Sequence, residues 1–77
     1  MSCPELYLRR AQLRLETAKT EYEYRLDTLK RLENLDGMPP AASVREAAYR
    51  SKLAEIALRE AVLDVEWNRQ SVEQQSK

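Results

Sequence analysis

One short stretch of this chain cannot continue a helix, and it sits near the middle. Asp36-Gly37-Met38-Pro39-Pro40-Ala41-Ala42-Ser43 holds the only glycine and two of the three prolines. A proline disfavours helix in the residue before it, and glycine is the usual residue just past a helix C-terminus. The segments on either side, residues 3–36 and 44–74, have no internal glycine, and their one proline, Pro4, lies in a first turn. There its missing N–H costs no hydrogen bond. The pattern predicts two helices joined by a turn at 37–43, with a polar tail at 75–77.

Start signals agree with this division. Ser2 and Glu5 are spaced as a capping box, and so are Ser43 and Glu46. Gly37 is then the expected left-handed residue after the first helix.

Each segment repeats its apolar residues in steps of three and four. In the first the line is Leu8, Ala11, Leu15, Ala18, Tyr22, Arg25, Leu29, Leu32; in the second it is Val44, Ala47, Ser51, Ala54, Leu58, Ala61, Val65, Asn68, Val72. These are heptad seams, and folding at the turn lays one on the other. Leu32 then faces Val44, followed by Leu29 on Ala47, Arg25 on Ser51, Tyr22 on Ala54, Ala18 on Leu58, Leu15 on Ala61 and Ala11 on Val65. Most layers set an alanine against a larger side chain, which fills a narrow gap without overpacking. The fold class is all-α: an antiparallel two-helix hairpin, an alanine-containing coiled coil ~45–50 Å long.

The flanking charges favour the same register. It sets Lys19 beside Glu55, Arg14 beside Asp64 and Glu5 beside Arg69. Each exposed pair is worth ~0.2–1 kcal/mol, so such pairs choose a register more than they stabilise it. A slip of one heptad would set Leu58 on Arg25 and Glu21 beside Asp64. Within the helices, Glu21–Arg25, Asp27–Arg31 and Glu55–Arg59 have the spacing for ion pairs. Arg25 and Ser51 make a polar layer in the seam, which points to control of register; the Arg25 stem packs inside while its guanidinium reaches Glu21.

A second apolar line remains uncovered. Tyr49, Leu53, Ile56, Leu63 and Trp67 follow helical spacing on another face of the second helix, interrupted by Glu60. Leu6, Leu13 and Tyr24 form a weaker line on the first helix. Monomers rarely expose a contiguous patch of this kind, and a chain of 77 residues needs added burial. The expected interface is therefore this five-residue stripe. Its expected occupant is a second copy, giving a homodimeric four-helix bundle; a different helical partner, or no occupant, are the alternatives. If the stripe is covered, Glu60 needs a cation or water beside it.

The missing chemistry narrows the function. There is no histidine, so the commonest general base and transition-metal ligand are absent. One cysteine, Cys3, makes neither a disulfide nor a zinc site, and a single glycine makes no phosphate loop. Cys3 receives no role, and its solitude fits a reducing, cytoplasmic setting. Glu60 with Asp64 and Glu23 with Asp27 share helix faces as solvated charges, the weaker alternative being loose cation binding. No cofactor is expected, and the chain does not read as an enzyme.

Thirteen basic and thirteen acidic residues cancel, and residues 1–36 carry seven of each sign. Arg9, Arg10 and Arg14 gather near the free ends, and Lys30, Arg31, Arg45, Arg50 and Lys52 toward the turn. Acids interleave both groups, which argues against an RNA- or DNA-binding bundle. No run is apolar enough to span a membrane.

Residues 43–66, the capped and alanine-rich start of the second helix, resemble the returning helix of hairpins in bacterial efflux adaptors and outer-membrane channel proteins. Small helical-hairpin chaperones of secretion systems share the appearance. The resemblance implies docking helix to helix in a secretion or efflux-type assembly, and assigns no residue roles. The reading taken from the residues is a non-enzymatic interaction or scaffold module that self-associates through the stripe. A partner-dependent chaperone or docking hairpin is the alternative.

Overall fold

In a computed structural model the chain is two helices, α1 (Cys3–Glu33) and α2 (Ala41–Gln75). The structure describes residues 3–35, 37 and 41–75, and there is no strand among them. The helices pack against each other as an all-α hairpin. Its principal extents are 60, 15 and 13 Å. It is longer than the expected ~45–50 Å, in part because α2 alone has 35 residues.

The helix ends differ from expectation around the turn. α1 stops at Glu33 rather than 36, with Asn34 N–H donating to the Lys30 carbonyl at 3.1 Å to close the last turn. Leu35 is exposed and has no place in the seam, so no packing extends the helix to it. Gly37 therefore lies beyond the capping position, and it does not adopt positive φ. α2 begins at Ala41, two residues before Ser43. Alanine is the best helix former, so Ala41 and Ala42 join the helix and Ser43 is internal rather than a cap. Glu46 accepts instead from Arg50 Nε at 2.7 Å. The other expected capping box rests on Ser2, which lies outside the described residues, as do Pro39 and Pro40 of the turn.

Every seam position in both helices is buried or half-buried. The buried ones are Ala11, Ala47, Ser51, Ala54 and Val65. They are small because each helix of a hairpin has one neighbour. An alanine can disappear beneath the larger side chain across from it, whereas Leu15 or Leu58 can cover only one flank. Among the described residues no large side chain is fully buried.

The grooves between the helices fix the register. Arg14 and Ala18 line one with Ala57, Ala61 and Asp64, while Thr28 and Leu32 line another with Ser43 and Ala47. These neighbours fit the layers that begin with Leu32 facing Val44. A slip of one heptad would carry Ala18 to residue 51 or 65 instead.

The seam's polar layer is arranged as the sequence predicts. Ser51 is buried, and Arg25 Nε donates to Glu21 Oε1 at 2.8 Å. The guanidinium also lies 5.5 Å from the Tyr24 ring centroid, within cation–π range.

The five ion pairs placed among the described residues, by contrast, each lie within one helix. The expected Glu21–Arg25, Asp27–Arg31 and Glu55–Arg59 pairs form, and Glu46–Arg50 and Lys52–Glu55 join them. Lys19 and Arg14 do not reach Glu55 and Asp64 as ion pairs. Glu55 is already taken by Lys52 at 3.0 Å and Arg59 at 2.9 Å, partners within one turn of its own helix. Arg14 and Asp64 share a groove without closing to contact. Register is thus carried by the alanine layers rather than by bridges between helices.

Candidate interaction surface

Heptad geometry decides where the second stripe points. Successive side chains turn by ~100° about a helix axis, so Tyr49, Leu53, Ile56, Leu63 and Trp67 centre ~160° from the seam. They centre on the side of α2 away from α1, with Tyr49 and Leu53 also lining a groove beside Glu21 and Arg25 of α1, and Glu60 one beside Arg14 and Ala18. Each is exposed: Trp67 at 71%, Leu63 at 64%, Tyr49 at 62%, Leu53 at 48% and Ile56 at 41%. All five predicted residues therefore lie in one line on one helix face. The structure also places Glu60 in that line, exposed.

The surface has two unlike halves. Arg50 borders a groove with Tyr49 and Leu53, and Glu46 and Arg25 stand beside it. Leu63 and Trp67 line a shallow depression with Glu60, Asp64, Glu66 and Gln70. In the sequence Arg50 stands in a basic group toward the turn, and Asp64 faces Arg14 across the seam and shares a face with Glu60. Their positions beside the stripe follow from heptad spacing, because the same residues flank both the seam and the outer face.

The first helix adds less. Leu6, Leu13 and Tyr24 are exposed as expected, and Tyr7 and Leu35 are exposed with them. Leu6 and Leu13 are seven residues apart on one outward face, but Thr20 and Asp27 continue that line. It is a short apolar patch rather than a stripe.

Polar side chains elsewhere are satisfied locally. Thr17, Thr20 and Thr28 donate to carbonyls four residues back in α1 at 3.2, 3.0 and 2.9 Å. Asn68 and Ser71 do the same in α2, to Asp64 and Trp67. Such back-bonding removes their demand for a partner outside the helix. No buried side-chain nitrogen or oxygen among the described residues lacks a partner.

One carboxylate is perturbed. The Lys52 ammonium, by hydrogen bond and by charge, holds the Glu55 carboxyl below its ordinary value, and Arg59 adds to the effect. Partial desolvation opposes it. The basic residues toward the turn are largely occupied in this way: Arg31 by Asp27, Arg50 by Glu46 and Lys52 by Glu55. Cys3 is exposed and free. Among the described residues no three His, Cys, Asp or Glu side chains gather as a metal-ligand group, and no helix is long and apolar enough to cross a membrane.

The surface is thus an apolar helix face with charged borders. No protein-family model, curated protein or solved structure matches the chain.

Proposed function

We propose that this chain is a non-enzymatic protein-interaction module, a hairpin that self-associates by burying the outer face of α2. One observation carries the reading. Five large apolar side chains of α2 stand outside, with Leu58 half-buried in the seam, while the residues buried between the helices are alanines, a serine and a valine. Hydrophobic burial is the main favourable term in both folding and association. Five of the large apolar side chains that remain exposed stand in line on one face. Full burial of a large side chain contributes ~1.5–3 kcal/mol, so five give enough gross gain to drive assembly against its entropic cost. An α-helical partner fits best, since the stripe has the three-and-four spacing that knobs-into-holes packing needs.

The test is light scattering on a sizing column across a hundredfold range of concentration, with helicity recorded on the same samples. A helical dimer that Leu53→Asp converts to monomer supports self-association. A fully helical monomer at every concentration overturns it. A monomer of weak helicity would instead favour the docking hairpin that folds on a different client.

A further inference from the structure

The charges of α2 are laid out against its own helix dipole. Residues 41–59 carry four basic and two acidic side chains, and residues 60–75 carry one basic and four acidic. The first turn holds no acid and the last turn no base. A helix favours the opposite arrangement, with acids at its N-terminus and bases at its C-terminus. The hairpin does not resolve this, because its ion pairs leave Glu60, Asp64, Glu66 and Glu73 without a cation. A layout that helps neither the helix nor the hairpin does suit another surface: a second α2 running the other way.

Resting on the self-association proposed above, we infer that α2 pairs with α2 of a second copy, antiparallel about a two-fold axis between Ile56 and Glu60. In that register Tyr49 meets the second copy's Trp67, and Leu53 meets its Leu63. Ile56 meets its Glu60, and each layer occurs twice. The flanks then follow the same geometry that puts Arg14 and Asp64 in one groove of the hairpin. They set Arg50 beside the second copy's Asp64, Lys52 beside its Glu66 and Arg45 beside its Glu73. All three pairs are of opposite sign, and symmetry makes each twice. The fourth charged flank sets Arg59 beside the second copy's Arg59 at the axis, a like-charge contact; each guanidinium lies one turn from a layer that holds Glu60, so each meets a carboxylate and each covered Glu60 a cation. The half bordered by Arg50 thereby covers the half bordered by Glu60, Asp64 and Glu66.

Other pairings lose these matches. Parallel pairing stacks Glu60 on Glu60 and brings Arg45 toward Arg50. An antiparallel slip of one heptad puts Tyr49 on Gln74 and Leu53 on Gln70. The opposite slip puts Tyr49 on Glu60, Leu63 on Glu46 and Lys52 beside Arg59. Because the stripe stands opposite the seam, the dimer is a single layer of four helices, α1–α2–α2–α1, rather than a square bundle. The two copies of α2 are inside, each held between two partners.

Cysteine cross-linking in a Cys3→Ser background tests the register. Ala57 lies beside its own copy across the axis, whereas Ser43 lies beside the second copy's Ser71. With a short bis-maleimide, Ala57→Cys should cross-link to itself. Ser43→Cys and Ser71→Cys should each fail alone and cross-link when mixed. Self-linking at all three sites would overturn the antiparallel pairing in favour of a parallel one; no linking at Ala57→Cys in a helical dimer would overturn the register. The charge pattern gives a second readout. Arg50→Asp or Asp64→Arg alone should raise the dissociation constant about tenfold, from two like-charge contacts, and the double exchange should restore it. Failure to restore overturns the pairing. Both results are distinct from failure of self-association itself. A monomer, or a dimer that survives Leu53→Asp, removes the stripe as an interface and this geometry with it. A dimer that Leu53→Asp abolishes but that cross-links elsewhere removes the geometry alone.

Discussion

The two faces of α2 make opposite use of side-chain size. Toward α1 it presents Ala47, Ser51, Ala54 and Val65, all buried. Away from α1 it presents Tyr49, Leu53, Ile56, Leu63 and Trp67, all exposed. The inner face brings two axes close and fixes their register, since small residues opposite large ones admit one fit. The outer face carries larger apolar side chains, and in the hairpin each of them stays exposed. Specification and hydrophobic driving force are thus separated onto two sides of one helix. A hairpin built this way is well defined in shape and short of burial, a combination that the proposed assembly would resolve.

The separation breaks most visibly where a small residue becomes large. Ala54→Leu forces added volume into the layer with Tyr22 and should destabilise the hairpin by ~1–3 kcal/mol, because a close-packed interface cannot absorb three more heavy atoms. Ala18→Leu, against Leu58, should act in the same direction. Ala48→Leu is the control: Ala48 is exposed on a flank of α2, and the change should stay within about 0.5 kcal/mol. Thermal or urea unfolding checks all three. Equal effects at Ala54 and Ala48 would mean that the inner face is not size-selective.

Trp67 probes the outer face in the same terms. In the lone hairpin it is the most exposed of the stripe residues, so its emission should be red-shifted at dilution and move to the blue as the assembly forms. Leu63→Asp should hold it at the red limit throughout. A tryptophan that is blue-shifted in dilute monomer would show that α1 or the turn covers the stripe, and the contrast between faces would fail.

The seam was legible in the sequence because period alone determines it. Two residue lists read in steps of three and four lie between the helices at every described position, and the polar layer of Arg25 and Ser51 falls where the heptad puts it. The stripe was legible for the same reason. Two of the interhelical ion pairs, Lys19 with Glu55 and Arg14 with Asp64, were not. Lys19 and Arg14 sit at the right heptad positions, but Glu55 has two cations within one turn of its own helix, and local partners need less ordering than distant ones. The turn also misled, since two capping signals compete there. Ala41-Ala42 extends α2 toward the prolines, and Ser43 loses its role as a cap. Charge layout along α2 was visible in the sequence, but it gained meaning only when Arg50 and Asp64 were placed on opposite halves of one face.

Gly37 offers a smaller test, at the turn that sets how the two faces are joined. It has no positive φ, and a Cβ there would meet nothing within 4 Å. Gly37→Ala should therefore stabilise the hairpin by ~0.4–1 kcal/mol, through loss of freedom in the unfolded chain. A loss of stability would mean that the turn visits left-handed conformations that the hairpin depends on.

The smallest expected effect lies on the border between the faces, at Glu55. Lys52 and Arg59 hold its carboxyl below the ordinary value of 4.5 in the folded state. A lowered carboxylate pKa means that the unfolded chain binds the proton more readily. The stabilisation is therefore present in full above 4.5 and is lost as pH falls through the lowered folded-state value. Glu55→Gln should flatten that acid limb of the melting profile and leave a constant small deficit at neutral pH. The inner face should not respond, because its buried residues are uncharged. In the paired form proposed above, Lys52 is also drawn toward the second copy's Glu66. Its hold on Glu55 then weakens, and the acid limb should be shallower at concentrations that favour the dimer. A limb of equal slope at low and high concentration would show that Lys52 serves the hairpin alone, and would remove one of the three flanking pairs from the two-fold interface.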